Sequence, residues 1–135
     1  MGSQFSLLKT VLGRFSRFTS VGAVGTGFHY FTLIVLVEGA RSDPVLATTI
    51  GAVVGALVNY RLNRQFTFRS SKPHREALTK FFVVATVALC LNATAVFWLV
   101  SIVGLQYLIA QIISTALVLI VTFSGNYLWT FNDAR

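Results

Sequence analysis

The sequence is short of charged residues, and above all of acidic ones. Among 135 residues there are four Asp or Glu, two Pro and one Cys, and 11% of all residues are charged. Because water-soluble domains carry about 25% charged residues, this shortage does not suit a soluble fold. The single cysteine, Cys90, cannot form an internal disulfide, so it gives no information about the redox compartment.

The same shortage disfavours several kinds of chemistry. The acidic residues are far apart in sequence and provide no paired carboxylates for acid–base catalysis. Cys90, His29 and His74 lack the spacing of a metal site. No Gly-x-x-x-x-Gly-Lys-Ser/Thr loop is present to bind ATP. We therefore expect the chain not to be an enzyme and to bind neither a metal nor a cofactor.

What the chain does contain is long apolar sequence. Hydrophobic residues make up 55% of it, and the mean hydropathy is +0.73. They form four runs, each close to the roughly 20 residues with which a helix crosses a hydrocarbon core about 30 Å thick. The runs are residues 18–37, 45–62, 81–103 and 107–127. The sequence therefore predicts an all-α integral membrane protein, with four transmembrane helices in one domain that covers residues 1–135.

Matching segments recur along the chain at a spacing of 63 residues. Asn63 is matched by Asn126, and Phe68 by Phe131. The same spacing relates Arg17-Phe18, which opens the first apolar run, to Lys80-Phe81, which opens the third. A fixed spacing of this kind indicates a repeated structural unit. We expect two two-helix repeats, at about residues 17–68 and 80–131.

The basic residues predict how the chain is oriented in the membrane. Ten of the eleven Lys and Arg lie in the N-terminal arm, the middle loop and the C-terminal end, and only Arg41 lies elsewhere. By the positive-inside rule, both termini and the middle loop are cytoplasmic. Two spans per repeat give both repeats the same orientation, as in parallel-repeat transporters. The net charge is +7, but the basic residues lie in short segments between apolar runs and do not form a basic face on a soluble fold. We therefore do not expect nucleic-acid binding.

The N-terminal arm, residues 1–17, has its own pattern. Leu8, Val11, Leu12 and Phe15 are spaced as on one face of a helix, and the basic residues of the arm fall on other faces. This pattern is typical of an amphipathic helix that lies in the headgroup layer. A frayed tail is the alternative.

Several polar residues lie within the apolar runs. A polar side chain is costly in hydrocarbon and usually faces a partner or a water-filled cavity. We therefore predict a polar groove, whose candidate residues are Asn59, Asn63, His29, Asn92, Asn126 and Gln111. The alternative is that these residues, with Gly51-x-x-x-Gly55, only hold the helices together.

Arginine and aromatic residues mark the ends of the second and fourth runs. Guanidinium groups match phosphate oxygens, so Arg61 and Arg64 are candidates for binding a phosphate. Alternatively, the two arginines complement the helix dipole and extend to the membrane interface. Aromatic residues are enriched at the headgroup level, and we expect interfacial roles for Phe66, Phe68, Trp129 and Phe131.

These motifs together resemble the GtrA-like family. The resemblance covers residues 15–132 and rests on three segments: Phe18, Val21 and Gly22; Asn59, Asn63, Arg64, Phe66 and Phe68; and Asn126, Trp129 and Phe131. It implies a small four-span protein of the bacterial inner membrane that acts in cell-surface polysaccharide synthesis. It also implies a substrate, a monosaccharide linked to a polyprenyl phosphate such as undecaprenyl phosphate, which is carried to the outer leaflet.

The second half of the chain departs from the family motif. Thr122 replaces the first Asn, and Tyr127 replaces the Arg. We therefore expect the first repeat to hold the phosphate and the second repeat to be mainly structural.

The resulting hypothesis is a flippase for a polyprenyl-phosphate-linked sugar. Its expected partners are that lipid, the surrounding membrane lipids, further copies of the chain and a membrane glycosyltransferase. The leading alternative is a non-transporting adaptor that recruits such a glycosyltransferase. A small-solute exporter or channel comes third, because no run contains the embedded carboxylate that small multidrug exporters need.

Overall fold

The computed structural model describes the backbone of residues 2–133, and the side chains of these residues except those at 2, 3, 44, 45, 48, 107, 108 and 111. All regular structure within this range is helical, as predicted. Helix α1 (Gly2–Ile34) continues into a π-helical turn (Val35–Gly39), and α2 (Pro44–Leu62) into another (Asn63–Thr67). Helix α3 (His74–Ser101) is followed by α4 (Tyr107–Gly125), which ends in a third π-helical turn (Asn126–Thr130).

The chain divides into two compact units, Met1–Arg69 and Ser70–Arg135. Each unit contains one helical hairpin, α1 with α2 in the first and α3 with α4 in the second. Within the described residues, three segments are long and apolar enough to cross a membrane: Gln4–Gly39, His74–Ser101 and Ile112–Thr130. Helix α2 is not one of these three, so a fourth span stays a prediction.

Helix α1 is longer than the first apolar run of the sequence. It runs without a break from Gly2 to Ile34, so the N-terminal arm is helical and forms the first part of α1, whereas the position of the arm in the headgroup layer stays a prediction. The helix can continue because no proline interrupts this part of the chain. At 1.5 Å per residue the 33 residues of α1 extend for about 50 Å, which is well beyond a hydrocarbon core of about 30 Å.

Glycines bring α1 and α2 close together. A Cβ atom on Gly55 would lie 2.7 Å from the carbonyl oxygen of Gly25, and one on Gly51 would lie 2.6 Å from Cδ2 of His29. Real Cβ atoms do not approach other atoms so closely, and small residues are what allow membrane helices to pack in this way. The Gly51-x-x-x-Gly55 motif is therefore a packing surface between the two helices of its own hairpin.

The second hairpin is held together by different contacts. Ser114 on α4 donates a hydrogen bond of 2.8 Å to Oδ1 of Asn92 on α3. Further along, a Cβ on Gly125 would lie 3.2 Å from both methyl groups of Val84, which indicates tight packing. The link between the two helices contains Gly104 at φ 78°, a backbone conformation that favours glycine.

The two π-helical turns that follow α2 and α4 end in the same way. The amide of Phe68 donates to the carbonyl of Asn63, and that of Phe131 donates to the carbonyl of Asn126, both at 2.9 Å. These bonds reach back five residues, as in a π-helix. Each terminal phenylalanine then packs within its own unit.

Phe68 lies 6.1 Å from Phe18, and Phe131 lies 6.3 Å from Phe81, between ring centroids. Both side chains are buried, with 7% exposed for Phe68 and 4% for Phe131. The structure thus buries both side chains within their own units, and their expected position at the level of the membrane interface stays a prediction.

Candidate functional site

Asn59 and His29 lie on the contact between α1 and α2. Asn59 follows Gly55 by four residues, so both fall on the same face of α2. A Cβ on Gly25 would lie 2.5 Å from Cγ of Asn59. His29 packs over Gly51 and stacks on Tyr30 with ring centroids 5.4 Å apart. The structure therefore brings these two predicted groove residues to one helix interface.

The Oδ1 atom of Asn59 is buried and has no hydrogen-bond partner among the described residues. The same holds for Nη1 of Arg64, which lies in the π turn at the end of α2. Leaving a buried donor or acceptor unpaired costs about 1–3 kcal/mol, and more for a charged group. The first unit thus contains a buried cationic donor and a buried neutral acceptor, five residues apart, that a ligand could satisfy. Arg61, by contrast, is exposed.

Asn63 is buried and bonded within its own turn. Its side chain is 2% exposed, and its Oδ1 accepts a 2.8 Å hydrogen bond from the hydroxyl of Thr67. Asn126 in the second unit is equally buried, but its amide donates to the carbonyl of Thr122 at 2.9 Å. As a result, Oδ1 of Asn126 and the hydroxyl of Thr130 are buried without partners among the described residues. These two asparagines are therefore part of the helix ends.

The remaining predicted groove residues are placed as follows. Asn92 accepts the hydrogen bond from Ser114, so it helps to join α3 to α4. The side chain of Gln111 lies outside the described part of the chain.

A basic cavity of about 300 Å³ lies in the first unit. Its charged lining residues are Lys9, Arg14, Arg17 and Arg69, and no carboxylate is among the described residues that line it. The other lining residues are Thr10, Gly13, Thr67 and Phe68. Sequence reasoning counted these cations toward membrane orientation and missed them as a site. The available signal was the spacing of residues 9, 10, 13, 14 and 17, which places them on one helix face.

A larger cavity of about 580 Å³ lies in the second unit, and we call it the Trp129 pocket. It is formed by the segment before α3, the start of α3 and the end of the chain after α4. Its lining residues are Ser71, Lys72, Pro73, Glu76, Lys80, Leu128, Trp129, Asn132 and Asp133. Trp129 and its counterpart in the first unit, Phe66, are both exposed, and their interfacial role stays a prediction.

Hydrogen bonds fix the walls of the Trp129 pocket. Asp133 accepts bonds from the hydroxyl of Ser70 at 2.7 Å and from the amide of Ser71 at 2.8 Å. Lys72 donates to the carbonyl of Trp129 at 3.1 Å. The ammonium of Lys80 pairs with Glu76 and lies 5.5 Å from the centroid of the Trp129 ring.

The environment of this pocket shifts the pKa values of Lys72 and Asp133, which lie outside the helices. The hydrogen bond from the Ser71 amide, with those from the Ser70 and Ser71 hydroxyls, holds the pKa of Asp133 below its usual value. Burial and the nearby charge of Lys80 lower the pKa of Lys72. Asp133 is therefore firmly ionised at neutral pH, which keeps it an acceptor for its two serine partners. Across the described residues, no three His, Cys, Asp or Glu side chains come together as a metal site.

Comparisons with known proteins give a consistent picture, although no solved structure matches the chain. A bactoprenol-linked glucose translocase of Shigella phage SfX is 25% identical, and a prophage bactoprenol-linked glucose translocase homolog of Escherichia coli strain K12 is 26% identical. The corresponding translocase of Shigella phage SfII is 25% identical. Each match covers 93% of this chain and all of the relative.

The family comparison covers most of the chain. Residues 17–131 match the family described as the GtrA/DPMS transmembrane domain. This range contains the second half of α1, all of α2, α3 and α4, and the three π-helical turns. Together with three helices apolar enough to cross a bilayer, the match confirms the predicted resemblance. The chain is a membrane protein that belongs to the GtrA/DPMS transmembrane domain family.

Proposed function

We propose that this protein moves a monosaccharide linked to a polyprenyl phosphate across the bacterial cytoplasmic membrane, for the synthesis or modification of cell-surface polysaccharide. In this proposal α2 is the fourth span, and its 19 residues extend for about 28 Å. Both termini are cytoplasmic, and the two hairpins are parallel repeats. The names of the relatives support a lipid-linked sugar as the substrate.

The observation that carries the proposal is the pair of unpartnered buried atoms in the first unit, Nη1 of Arg64 and Oδ1 of Asn59. A phosphate oxygen would accept a hydrogen bond from the guanidinium, and a sugar hydroxyl would donate one to the amide oxygen. Moving a charged group through hydrocarbon costs at least about 3 kcal/mol, so a carrier must supply polar partners inside the membrane. Arg64 and Asn59 are partners of the required two kinds.

The basic cavity supports the first step, which is capture of the anionic headgroup. Lys9, Arg14, Arg17 and Arg69 converge on one cavity in the same unit as Arg64. Near a membrane surface each such cation contributes about 1 kcal/mol of attraction to an anionic lipid. Arg61, which is exposed near the same helix end, adds to this field. The headgroup would therefore concentrate where α1 begins and α2 ends.

The passage itself requires more than one hairpin. Two helices enclose little volume, so we propose that the pathway lies between subunits of a homo-oligomer or opens sideways to the lipid. The isoprenoid tail would then remain in the bilayer while the headgroup crosses. Direction would come from consumption of the sugar on the outer face, since no ATP-binding loop is present in the sequence.

The test is a vesicle assay with purified protein. Labelled polyprenyl-phosphate sugar is placed in the inner leaflet, and its exposure to a membrane-impermeant reagent outside is followed over time. We expect the protein to speed exposure above that of empty vesicles. Arg64→Ala should slow exposure about tenfold or more, since a hydrogen bond to a charged group contributes about 1.5–3 kcal/mol.

Arg75→Ala is the matched control, because Arg75 is exposed in the first turn of α3. It should leave the rate unchanged. Equal rates in protein-containing and empty vesicles would reject the proposal. If the vesicle rates were equal and Arg64→Ala nevertheless abolished sugar transfer in cells, the adaptor hypothesis would replace the flippase hypothesis.

A further inference from the structure

We infer that the Trp129 pocket of the second unit binds the sugar ring of the lipid headgroup. This inference rests on the proposed function and deepens it, because it gives the sugar ring a docking site that is distinct from the hydroxyl contact proposed for Asn59 and is occupied at another stage of transport. It also differs from the expectation that the second repeat is mainly structural. The ligand class is a neutral monosaccharide that carries several hydroxyl groups.

The size of the pocket suits a small molecule. Its volume of about 580 Å³ falls within the roughly 300–1,000 Å³ that is usual for small-molecule sites. Among the described residues it is about twice as large as the basic cavity of the first unit, at about 300 Å³. The Trp129 pocket therefore has room for a headgroup as well as for water.

The charges of the pocket argue against a phosphate and for a neutral ligand. Lys72 and Lys80 are balanced by Glu76 and Asp133, so the described lining residues carry no net charge. The described residues that line the basic cavity of the first unit include four cations and no carboxylate. An anion would favour the basic cavity. A hydroxylated neutral ring can use both the donors and the acceptors of the Trp129 pocket.

The side chains present are those that a sugar ring requires. Trp129 is 46% exposed, so part of its apolar indole is available to the C–H face of a sugar. Lys72 and Lys80 both pair with Oε1 of Glu76, so Oε2 of that carboxylate can accept a hydroxyl. An ionised carboxylate offers about four lone-pair sites. One apolar face and charged acceptors beside it form an amphipathic site.

The pocket is also held in shape before any ligand arrives. Asp133 joins the end of the chain to Ser70 and Ser71, and Lys72 is bonded to the backbone of Trp129. These bonds tie the segment before α3 to the segment after α4. Fixing a site in advance lowers the entropy that binding would otherwise cost. The Trp129 ring is therefore ready to receive a ligand.

Tryptophan fluorescence can test this inference, because the chain has only two tryptophans, Trp98 and Trp129. The Trp98→Phe variant leaves Trp129 as the single reporter. It would be placed in lipid nanodiscs and titrated with sugar-free polyprenyl phosphate, and with polyprenyl phosphates carrying glucose, galactose or N-acetylglucosamine. We expect at least one sugar-bearing lipid to change the emission of Trp129 and to protect it from an aqueous quencher, whereas the sugar-free lipid should not.

Binding constants for the same lipids complete the test. Trp129→Ala should raise the Kd of the sugar-bearing lipid about tenfold and leave that of the sugar-free lipid unchanged. Trp129→Phe, which keeps an aromatic face, should restore most of the affinity and thereby show that the fold is intact. Trp98→Ala is the matched control, since Trp98 is also exposed but does not line the pocket.

The possible results separate the two proposals. If Trp129→Ala lowers the affinity for the two lipids equally, or for neither of them, the sugar site would be overturned. Arg64→Ala should weaken the binding of both lipids to the same extent, because Arg64 is proposed to bind the phosphate that both lipids carry. If Arg64→Ala has no effect while Trp129→Ala remains selective for the sugar, the sugar site stands and the role proposed for Arg64 fails.

Discussion

Thr67 donates a buried hydrogen bond to Oδ1 of Asn63, whereas Thr130 has no such bond to Asn126. The two pairs occupy matching positions, 63 residues apart, in the π turns that end α2 and α4. In the second unit the amide of Asn126 is turned toward the carbonyl of Thr122 instead. The two helix ends therefore have the same backbone but different side-chain bonding, which makes them a natural pair for comparison.

Removing the two threonine hydroxyls should have different effects on stability. Thr67→Val leaves Oδ1 of Asn63 buried and unpaired, so we expect the free energy of unfolding to fall by about 1–3 kcal/mol. Thr130→Val removes a hydroxyl that is unpartnered among the described residues, and it should be neutral or stabilising. Unfolding of the purified variants in detergent measures both. Equal destabilisation would mean that Thr130 has a bonding partner in the native protein.

Adding a methyl group at the α1–α2 contact should be costly. In Gly55→Ala the new Cβ would lie 2.7 Å from the backbone oxygen of Gly25, and a backbone atom cannot move aside cheaply. We expect a loss of about 1–3 kcal/mol from overpacking, visible as a lower midpoint of thermal unfolding. Gly27→Ala is the control, because its Cβ would meet no described atom within 4 Å. An unchanged midpoint for Gly55→Ala would argue against this close packing.

Neutralising the basic cavity should weaken binding of anionic lipids. Each of Arg14→Gln and Arg17→Gln should lower the affinity for polyprenyl phosphate about fivefold, given about 1 kcal/mol per cation near the surface. The effect should shrink as salt is added, since exposed charges are screened. Arg75→Gln, outside the cavity, serves as the comparison. If all three variants bind equally well, the cavity has no special role beyond general membrane charge.

The C-terminal end of the second unit should loosen in acid. The pKa of Asp133 is lowered in the folded protein, chiefly by the amide of Ser71. Its contribution to stability is therefore complete above the ordinary carboxyl pKa and is lost as the pH falls through the lower, folded value. Emission of Trp129 in the Trp98→Phe variant should report this change. Asp133→Asn should remove that acidic transition, and its persistence would assign the change to another group.

Apolar runs were sufficient to predict the helices, and glycine spacing indicated helix packing as an alternative role for α2 without naming the partner helix. Gly51 and Gly55 recur at helical spacing, and small residues at that spacing have one dominant physical use in membranes. The π turns were not predictable in the same way. Asn63–Thr67 has the composition of an α-helical end, and the difference is one hydrogen bond that reaches five residues instead of four. The sequence pattern alone does not show that difference.

The Trp129 pocket could not be predicted because its walls come from distant parts of the sequence. Ser71 and Asp133 are 62 residues apart, and no local pattern indicates that a loop serine will bond a residue near the end of the chain. The basic cavity was predictable only in part. Its residues on α1 follow a helical spacing, but the part contributed by Arg69 depends on how the chain leaves α2.

The π turns make the ends of α2 and α4 tolerant of losing one residue. A five-residue reach accommodates one residue more than an α-helical turn does, and one residue corresponds to about 100° of rotation around an α-helix. Deleting a single residue such as Gln65 would let the turn close with a four-residue reach, so the chain after it would keep nearly the same rotational position and Phe68 would still face Phe18. An inserted residue could not be absorbed in this way and would rotate Phe68 away from Phe18.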